Sequence, residues 1–560
     1  MDKYDVLKQY FGHSSFRDGQ ETLVNALLNG EDALGIMPTG AGKSVCYQVP
    51  ALLLPGITLV ISPLISLMKD QVAALISAGV PAAYLNTSLT PAQLETATTR
   101  AAQGTYKIIY VAPERLDTTS FRRFAQNAAI SLLAVDEAHF VSQWGQDFRP
   151  SYLRIADFCS SLPHRPLIGA FTATATQRVR QDIVRLLCLN HPRTVVTGFD
   201  RPNLYFEVLR PRDKKAALTE ILARQEGRCG IVYCATRKTV EQVAALLDAK
   251  GFSVGRYHAG LSAEERRMSQ EDFQYDRIQV IVATNAFGMG IDKPNVRFVI
   301  HYNIPRSMEA YYQEAGRAGR DGDPAECVLL YSGQDMITAR WMIEHSEVNE
   351  DLTPEEQTRK RSDDYRRLEQ IASWAQGRSC LRAGFLRYFG QNAPDGCGHC
   401  SACLGPKYSF AAAQSGKAVR PAFGRQQSAA EANPWPDHDV PAWSGRRDSE
   451  DSNDTYLYSE KPELLPMKKG YRPGAGVMKE AESVNPELLE QLRRVRASLA
   501  GKLRMPAYIV CDDKALRDMA AKLPHTVEEM TEVYGFGTVK AKKYGPAFVK
   551  AISAWETASR

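Results

Sequence analysis

The chain has 560 residues, enough for three or four domains at roughly 150 residues each, which excludes a single small binding module. Its composition, 44% hydrophobic, 9% aromatic and 24% charged, is that of a chain that buries cores, so collagen-like and wholly disordered readings fail. The net charge of +5 is too mild to imply a polyanionic partner, but residues 486–560 hold 13 Lys and Arg against 9 Asp and Glu; a solvated helical surface explains that local excess as well as a partner does.

In chain order, the opening MDKYDVLKQY lacks a signal-peptide apolar core. The longest apolar run, 50–68, is broken by Pro55 and Gly56 and reads as a helix end followed by a buried strand, so no membrane span is expected. From about residue 30 to 200, strand-like runs alternate with helical stretches: GITLVIS from Gly56, YKIIYVAP from Tyr106, ISLLAVDEAH from Ile130 and RPLIGAFTATAT from Arg165. That alternation predicts a parallel sheet flanked by helices. A second series follows Phe199: CGIVYCATR from Cys229, SVGRYHAG from Ser253, IQVIVATNAFGMG from Ile278, VRFVIHYNIP from Val296 and ECVLLYS from Glu326. The fold class is therefore α/β, with tandem lobes at 1–200 and 201–345 that enclose a cleft.

Residues 346–404 read as helical and end in a cysteine cluster. Residues 405–485 are rich in Pro, Ser and Gln with little periodicity, which predicts a disordered linker. Periodicity returns at Asn485, an N-cap candidate before Pro486, with Leu489, Leu492, Val495 and Leu499 at helical spacing. Thr526 with Glu529 gives a further start signal, a capping box. Residues 486–560 are read as a small all-α domain on a tether.

MPTGAGKS, residues 37–44, reads as a phosphate-binding loop. The backbone of Thr39, Gly40, Ala41 and Gly42 can wrap phosphate oxygens, Lys43 neutralises them, and Ser44 offers a hydroxyl to magnesium. The strict pattern has Gly or Ala where Met37 stands. Asp136 and Glu137 in DEAH end an apolar run, at the carboxyl edge where open α/β sheets bind ligands. Asp136 is expected to hold magnesium through water, and Glu137 to orient and deprotonate the water that attacks the γ-phosphate. In YYQEAGRAGRDG, from Tyr311, Arg317 and Arg320 lie three apart on one helical face, able to reach that phosphate from the second lobe. Cys380, Cys397, Cys400 and Cys403, spaced C-x16-C-x2-C-x2-C, fit a closed, structural zinc site, with His399 a competing ligand. The other seven cysteines read as core or incidental, and the chain as intracellular with reduced thiols. Near the C-terminus the turn Gly535, Phe536, Gly537 precedes a helix bearing Lys540, Lys542 and Lys543. That arrangement suits phosphate gripping, with Tyr508 and Tyr544 as stacking faces; protein docking is the other reading.

These motifs, together with SPLISLMKDQ, APERL, SQWGQDFRPSY, FTATAT, YHAGL and ATNAFGMGIDKPNVRFVIHYNIP, resemble in order those of superfamily 2 helicases of the RecQ type, over about residues 5–404. The resemblance implies two RecA-like lobes, a helical hairpin with a zinc platform and, for 486–560, a bundle like the helicase-and-RNase-D C-terminal (HRDC) domain. It implies an ATP-dependent DNA helicase that moves 3′ to 5′ on single-stranded DNA, acts on tailed or forked duplexes in repair and recombination, and uses ATP, magnesium and zinc. It assigns His13, Arg17 and Gln20 to the adenine, His13 standing where the family usually has tyrosine, and Gln313 to the nucleotide. Gln143, Trp144, Phe148 and Arg149 become the loop that couples DNA contact to hydrolysis, packed core being the alternative for Trp144 and Phe148. Thr172 and Thr174 become a relay, and 284–292 a source of further contacts. A single-stranded-DNA-binding protein is an expected partner, the chain is expected to be a monomer, and the expected location in a bacterium is the cytoplasm at the nucleoid. One departure concerns the family's winged-helix domain, for which the interval after Gly405 is too short and unpatterned. A translocase that does not unwind, an RNA motor or a scaffold on a dead motor are the competing readings, the last disfavoured by the complete motor motifs. Removal of the tail is expected to spare basal ATP turnover.

Overall fold

Runs such as ITLVI and LLAV are apolar at every position, so their strands must be buried on both faces, which parallel sheets covered by helices allow. The structure, a computed structural model, describes residues 1–86, 89–142, 148–225, 227–288, 293–346, 353–408, 463–464, 485–503 and 505–559. The first lobe is built on a sheet ordered Glu463–Leu464, Arg193–Val196, Ala33–Ile36, Leu167–Thr172, Ile130–Val135, Ile57–Ile61, Ile108–Val111, Ala82–Leu85. The second has the order Val254–Tyr257, Val280–Ala283, Gly230–Tyr233, Phe298–His301, Ala325–Leu330, Leu204–Leu209, and every described pairing in both sheets is parallel. The phosphate-loop strand Ala33–Ile36, the Thr172 strand and the Asp136 strand are adjacent, so their loops emerge side by side at one sheet edge.

The α/β expectation holds, with four strands added: Ala33–Ile36, Ala82–Leu85, Arg193–Val196 and Leu204–Leu209. The expected linker starts later than Gly405. The Lys407 backbone N–H donates to Glu207 at 2.8 Å, and the Tyr408 hydroxyl is buried against Glu326 and Gln225, so this strap is docked on the second lobe. Glu463–Leu464 likewise adds a backbone strand beside Arg193–Val196, and the rest of the interval lies outside the described residues.

Helices Pro354–Gln376 and Leu381–Tyr388 form the segment before the cysteines, the first opened by the expected kind of signal, a Thr353–Glu356 capping box. Tyr311 stacks on Phe385 with centroids 5.2 Å apart and meets Trp374 at 5.0 Å, which seats these helices on Met308–Ala315 of the second lobe. At the C-terminus, Pro486–Leu503, Ala507–Val510, Asp513–Lys522 and Thr538–Ser559 enclose a core including Leu488, Leu492, Phe536 and Phe548. Asn485 caps the first of these helices, accepting from Glu487 N–H at 2.9 Å. The Thr526–Glu529 signal opens only a 3-10 turn, Glu529–Glu532. Among the described residues no helix is long and apolar enough to cross a membrane.

Candidate nucleotide site and cysteine centre

Gly40 and Gly42 both lie at φ +80°, a left-handed conformation that bends the loop back over the first turn of helix Lys43–Leu53. Met37, off the strict pattern, is buried against Cys46, with sulfurs 3.8 Å apart, so it serves the apolar layer beneath the loop. Lys43 Nζ donates to the Met37 carbonyl at 3.3 Å, and Arg17 Nη1 to the Gly40 carbonyl at 2.6 Å. Gln20, expected at the base, is turned to the phosphate loop. Its amide donates to the carbonyls of Ala41 and Gly42, both at 3.0 Å, and it is 3% exposed, so it braces the loop from behind.

Asp136 follows the strand, its N–H donating to Ile61 and its carbonyl accepting from Tyr152. Burial and the adjacent Glu137 push the Asp136 carboxyl well above the usual carboxylate range. Burial raises Glu137, but His139, Lys43 and Arg317 together outweigh this and hold it low. Glu137 sits at φ +48°, left-handed for a non-glycine residue, as strained functional loops often are. His139 Nδ1 lies 2.7 Å from Thr172 Oγ1 and 3.3 Å from Glu137 Oε2. Gln313 of the second lobe donates to Thr174 Oγ1 at 3.1 Å and lies 3.4 Å from His139 Nε2. The expected relay threonines, an unexpected histidine and Gln313 thus form one hydrogen-bonded group reaching the opposite lobe, which Glu137 meets through its 3.3 Å contact with His139. Gln313 lines the cavity while its amide serves this chain.

Arg317 and Arg320 line the same cavity of about 410 Å³ as Thr39, Gly40, Gly42, Lys43, Ser44, Asp136 and Glu137. Arg317 Nη1 is hydrogen-bonded to the Gly288 carbonyl. Gly288 has φ +132°, and a Cβ there would fall 2.5 Å from Arg317 Nε, so only glycine lets the arginine pass. Arg201 was not singled out by its sequence. Its half-buried guanidinium donates to Thr39 O at 2.7 Å, Ala318 O at 2.9 Å and Gly319 O at 2.8 Å, which ties the phosphate loop to the arginine-bearing segment. An arginine in FDRPN looks like a surface charge until the fold folds it inward. The donor set of this cavity, a glycine loop at a helix N-terminus, an ammonium, two guanidinium groups and a hydroxyl beside two carboxylates, fits a nucleoside triphosphate with magnesium.

The cysteine centre brings together all four predicted thiols, whose sulfurs lie within 4.8 Å of one another. Cys400 Sγ is 3.9 Å from Cys380 and 3.5 Å from Cys403, and Cys397 is 4.0 Å from Cys403. Tetrahedral zinc with bonds of about 2.3 Å separates its sulfurs by roughly 3.8 Å, so the group fits without rearrangement. His399 is not among the ligands: its backbone N–H supports Cys397 Sγ at 3.2 Å and its ring packs on Tyr205.

The expected DNA contacts fare unevenly. Gln143 and Trp144 lie outside the described residues, as does 289–292. Phe148 and Arg149 line a second cavity of about 540 Å³ with Arg306, Arg359, Lys360 and Arg367, and Arg149 donates to Pro63 O at 3.2 Å. Lys542 and Lys543 are exposed. Lys540 instead turns inward, donating to Ile509 O at 2.9 Å and lining the nucleotide cavity, where burial lowers its pKa. Tyr544 offers no stacking face, since it is 1% exposed and hydrogen-bonded to Ser77 at 2.7 Å. Tyr508 also lines the nucleotide cavity.

Family models match four stretches: DEAD/DEAH box helicase over 17–183, helicase conserved C-terminal domain over 213–322, RecQ zinc-binding over 333–404 and HRDC domain over 485–552. The ATP-dependent DNA helicase RecQ of Bacillus subtilis is 38% identical, the match covering 98% of each chain. Its counterpart in Haemophilus influenzae is 37% identical, over 98% of this chain and 95% of its own. The fold alone is shared with the DEAD-box helicase Mss116 bound to single-stranded RNA, at TM-score 0.50 and 15% identity over 66% of this chain and 86% of that one.

Proposed function

Because the chain belongs to the RecQ family of ATP-dependent DNA helicases, we propose that it hydrolyses ATP in the inter-lobe cavity and uses the cycle to move 3′ to 5′ along single-stranded DNA, unwinding tailed or forked duplexes in repair and recombination. The observation that carries this reading is that the phosphate loop and both acidic residues of one lobe and both arginines of the other line a single cavity. Lys43 exchanges its Met37 carbonyl for phosphate oxygens, and the loop N–H groups orient the chain of phosphates. Ser44 and Asp136, which line the cavity, would hold the magnesium that accompanies ATP, and it would supply neutralisation of phosphate charge. Glu137, kept ionised by His139, Lys43 and Arg317 together, accepts the proton of the attacking water. Arg317 and Arg320 stabilise the charge that develops on the transferred phosphoryl group, and they do so only while the lobes are together.

The Glu137–His139–Thr172 and Gln313–Thr174 contacts carry lobe position to the water-activating carboxylate. Phe148 and Arg149, with Arg306, Arg359, Lys360 and Arg367 in the cavity beside them, take the single strand by stacking and phosphate contact, together with Gln143, Trp144, Lys542 and Lys543. The four-cysteine zinc site holds the helices behind this surface. The protein works as a monomer in the bacterial cytoplasm, at the nucleoid, with a single-stranded-DNA-binding protein as partner. Lys43→Ala should lower single-strand-stimulated ATP turnover at least about a hundredfold while leaving the melting temperature unchanged. Turnover at the level of the unaltered protein would remove the assignment.

A further inference from the structure

We propose that the C-terminal bundle completes the nucleotide site, closing the nucleoside end of the cavity and supplying in Tyr534, beside His13, the aromatic surface that receives the base. This rests on the reading of the cavity as an ATP site. Tyr508, Asp512, Tyr534 and Lys540 form one wall of that cavity, facing Phe11 and His13. The Tyr534 and His13 rings have centroids 5.1 Å apart, and Lys514 Nζ lies 4.1 Å from the Tyr534 centroid. The Tyr534 hydroxyl accepts from Arg17 Nη2 at 3.1 Å. The same guanidinium holds the phosphate loop through Gly40, so one side chain fixes both ends of the nucleotide's seat.

The docking that brings Tyr534 there is specific. Gly535 N–H donates to Gly12 O at 3.1 Å, and a Cβ on Gly12 would fall 2.5 Å from Phe536 N, so the two backbones meet where only glycine fits. Tyr544 and Ser77 share a hydrogen bond of 2.7 Å on the same lobe. Arg517 pairs with Asp323 at 2.8 Å, beyond the arginine segment, so the bundle spans the cleft and touches both lobes. His13 has a smaller ring than the tyrosine usual at its place. A tyrosine delivered from the bundle restores a large aromatic surface at that end, since a base–aromatic contact alters affinity by about tenfold or more. Occupancy of the nucleotide site and docking of the bundle then strengthen each other by the same factor.

The test is calorimetric binding of ADP and of inorganic tripolyphosphate to the full chain. Tyr534→Ala should weaken ADP about tenfold and leave tripolyphosphate within about twofold, because the ring meets the base and not the phosphates. Tyr534→Phe should keep ADP affinity within about twofold, which separates ring from hydroxyl. Val539→Glu, at a partly exposed residue packed on Gly79 outside the cavity, should undock the bundle and reproduce the selective loss. In turnover, Tyr534→Ala should raise KM for ATP with little change in kcat. Unchanged or tighter ADP binding by Tyr534→Ala would overturn the proposal, as would an equal loss of ADP and tripolyphosphate. If Lys43→Ala bound tripolyphosphate and hydrolysed ATP normally, the ATP-site reading itself would be the part that failed.

Discussion

Arg201 donates from a half-buried position to carbonyls on both sides of the cleft, so Arg201→Ala strands several acceptors and frees the phosphate loop from the arginine segment. ATP turnover should fall at least about tenfold through lost positioning, and Arg201→Lys should not restore it, because an ammonium cannot span carbonyls that a planar fork reaches. Recovery by lysine in a steady-state assay would show that charge alone suffices. His13 gives a second expectation. Burial, then the charges of Arg17, Lys514 and Lys540, lowers its pKa to about 4. Since an unfolded histidine titrates near 6.5, the unfolded chain gains the proton first, and stability falls as pH drops from about 6.5 toward 4. His13→Tyr should flatten that part of the melting-temperature profile, and identical slopes would refute the assignment. Lys43, Asp136 and Glu137 were legible because a phosphate loop and a strand end leave such side chains one way to go; Arg317 and Arg320 line the cavity as expected, but from the turn after helix Met308–Ala315 and not from one helical face. Gln20 is turned to the phosphate-loop carbonyls and Lys540 to Ile509, aims that sequence does not give because it supplies a side chain's type and not its direction.

Among the elements, the central strands were legible because they are apolar throughout, whereas Ala82–Leu85 and Arg193–Val196 are short edge-side strands with mixed residues that imitate loops. The cysteine spacing announced the metal centre, but not what its helices support. Arg382, one residue after Leu381, donates to Asp200 at 2.6 Å and to Arg201 O at 2.9 Å, and Phe385 stacks on Tyr311 of the helix that carries Gln313. Zinc therefore steadies the backbone from which Arg201 reaches the phosphate loop. Chelation or Cys400→Ser should raise hydrogen exchange across Pro354–Gln376 and Leu381–Tyr388, lower DNA affinity, and also slow ATP turnover. Unchanged exchange and DNA affinity after verified zinc loss would contradict this.

At the scale of the molecule, sequence order conveyed two lobes, a metal-bound helical segment and a separate bundle, because each has its own periodicity. It could not convey where the bundle docks. The Gly12–Gly535 meeting and the Arg517–Asp323 pair join residues hundreds of positions apart, and neither carries a local pattern. If the bundle completes the nucleotide site as proposed, its loss should raise KM for ATP, against the expectation that the tail is independent of nucleotide use. The central claim is that closure of the two lobes on ATP drives directional strand separation. The most direct measurement is unwinding of a duplex with a 3′ single-stranded tail, beside a 5′-tailed duplex and the Lys43→Ala variant. The account predicts ATP-dependent opening of the 3′-tailed duplex only, lost in Lys43→Ala; DNA-stimulated ATP hydrolysis without opening of either duplex, or preference for the 5′ tail, would contradict it.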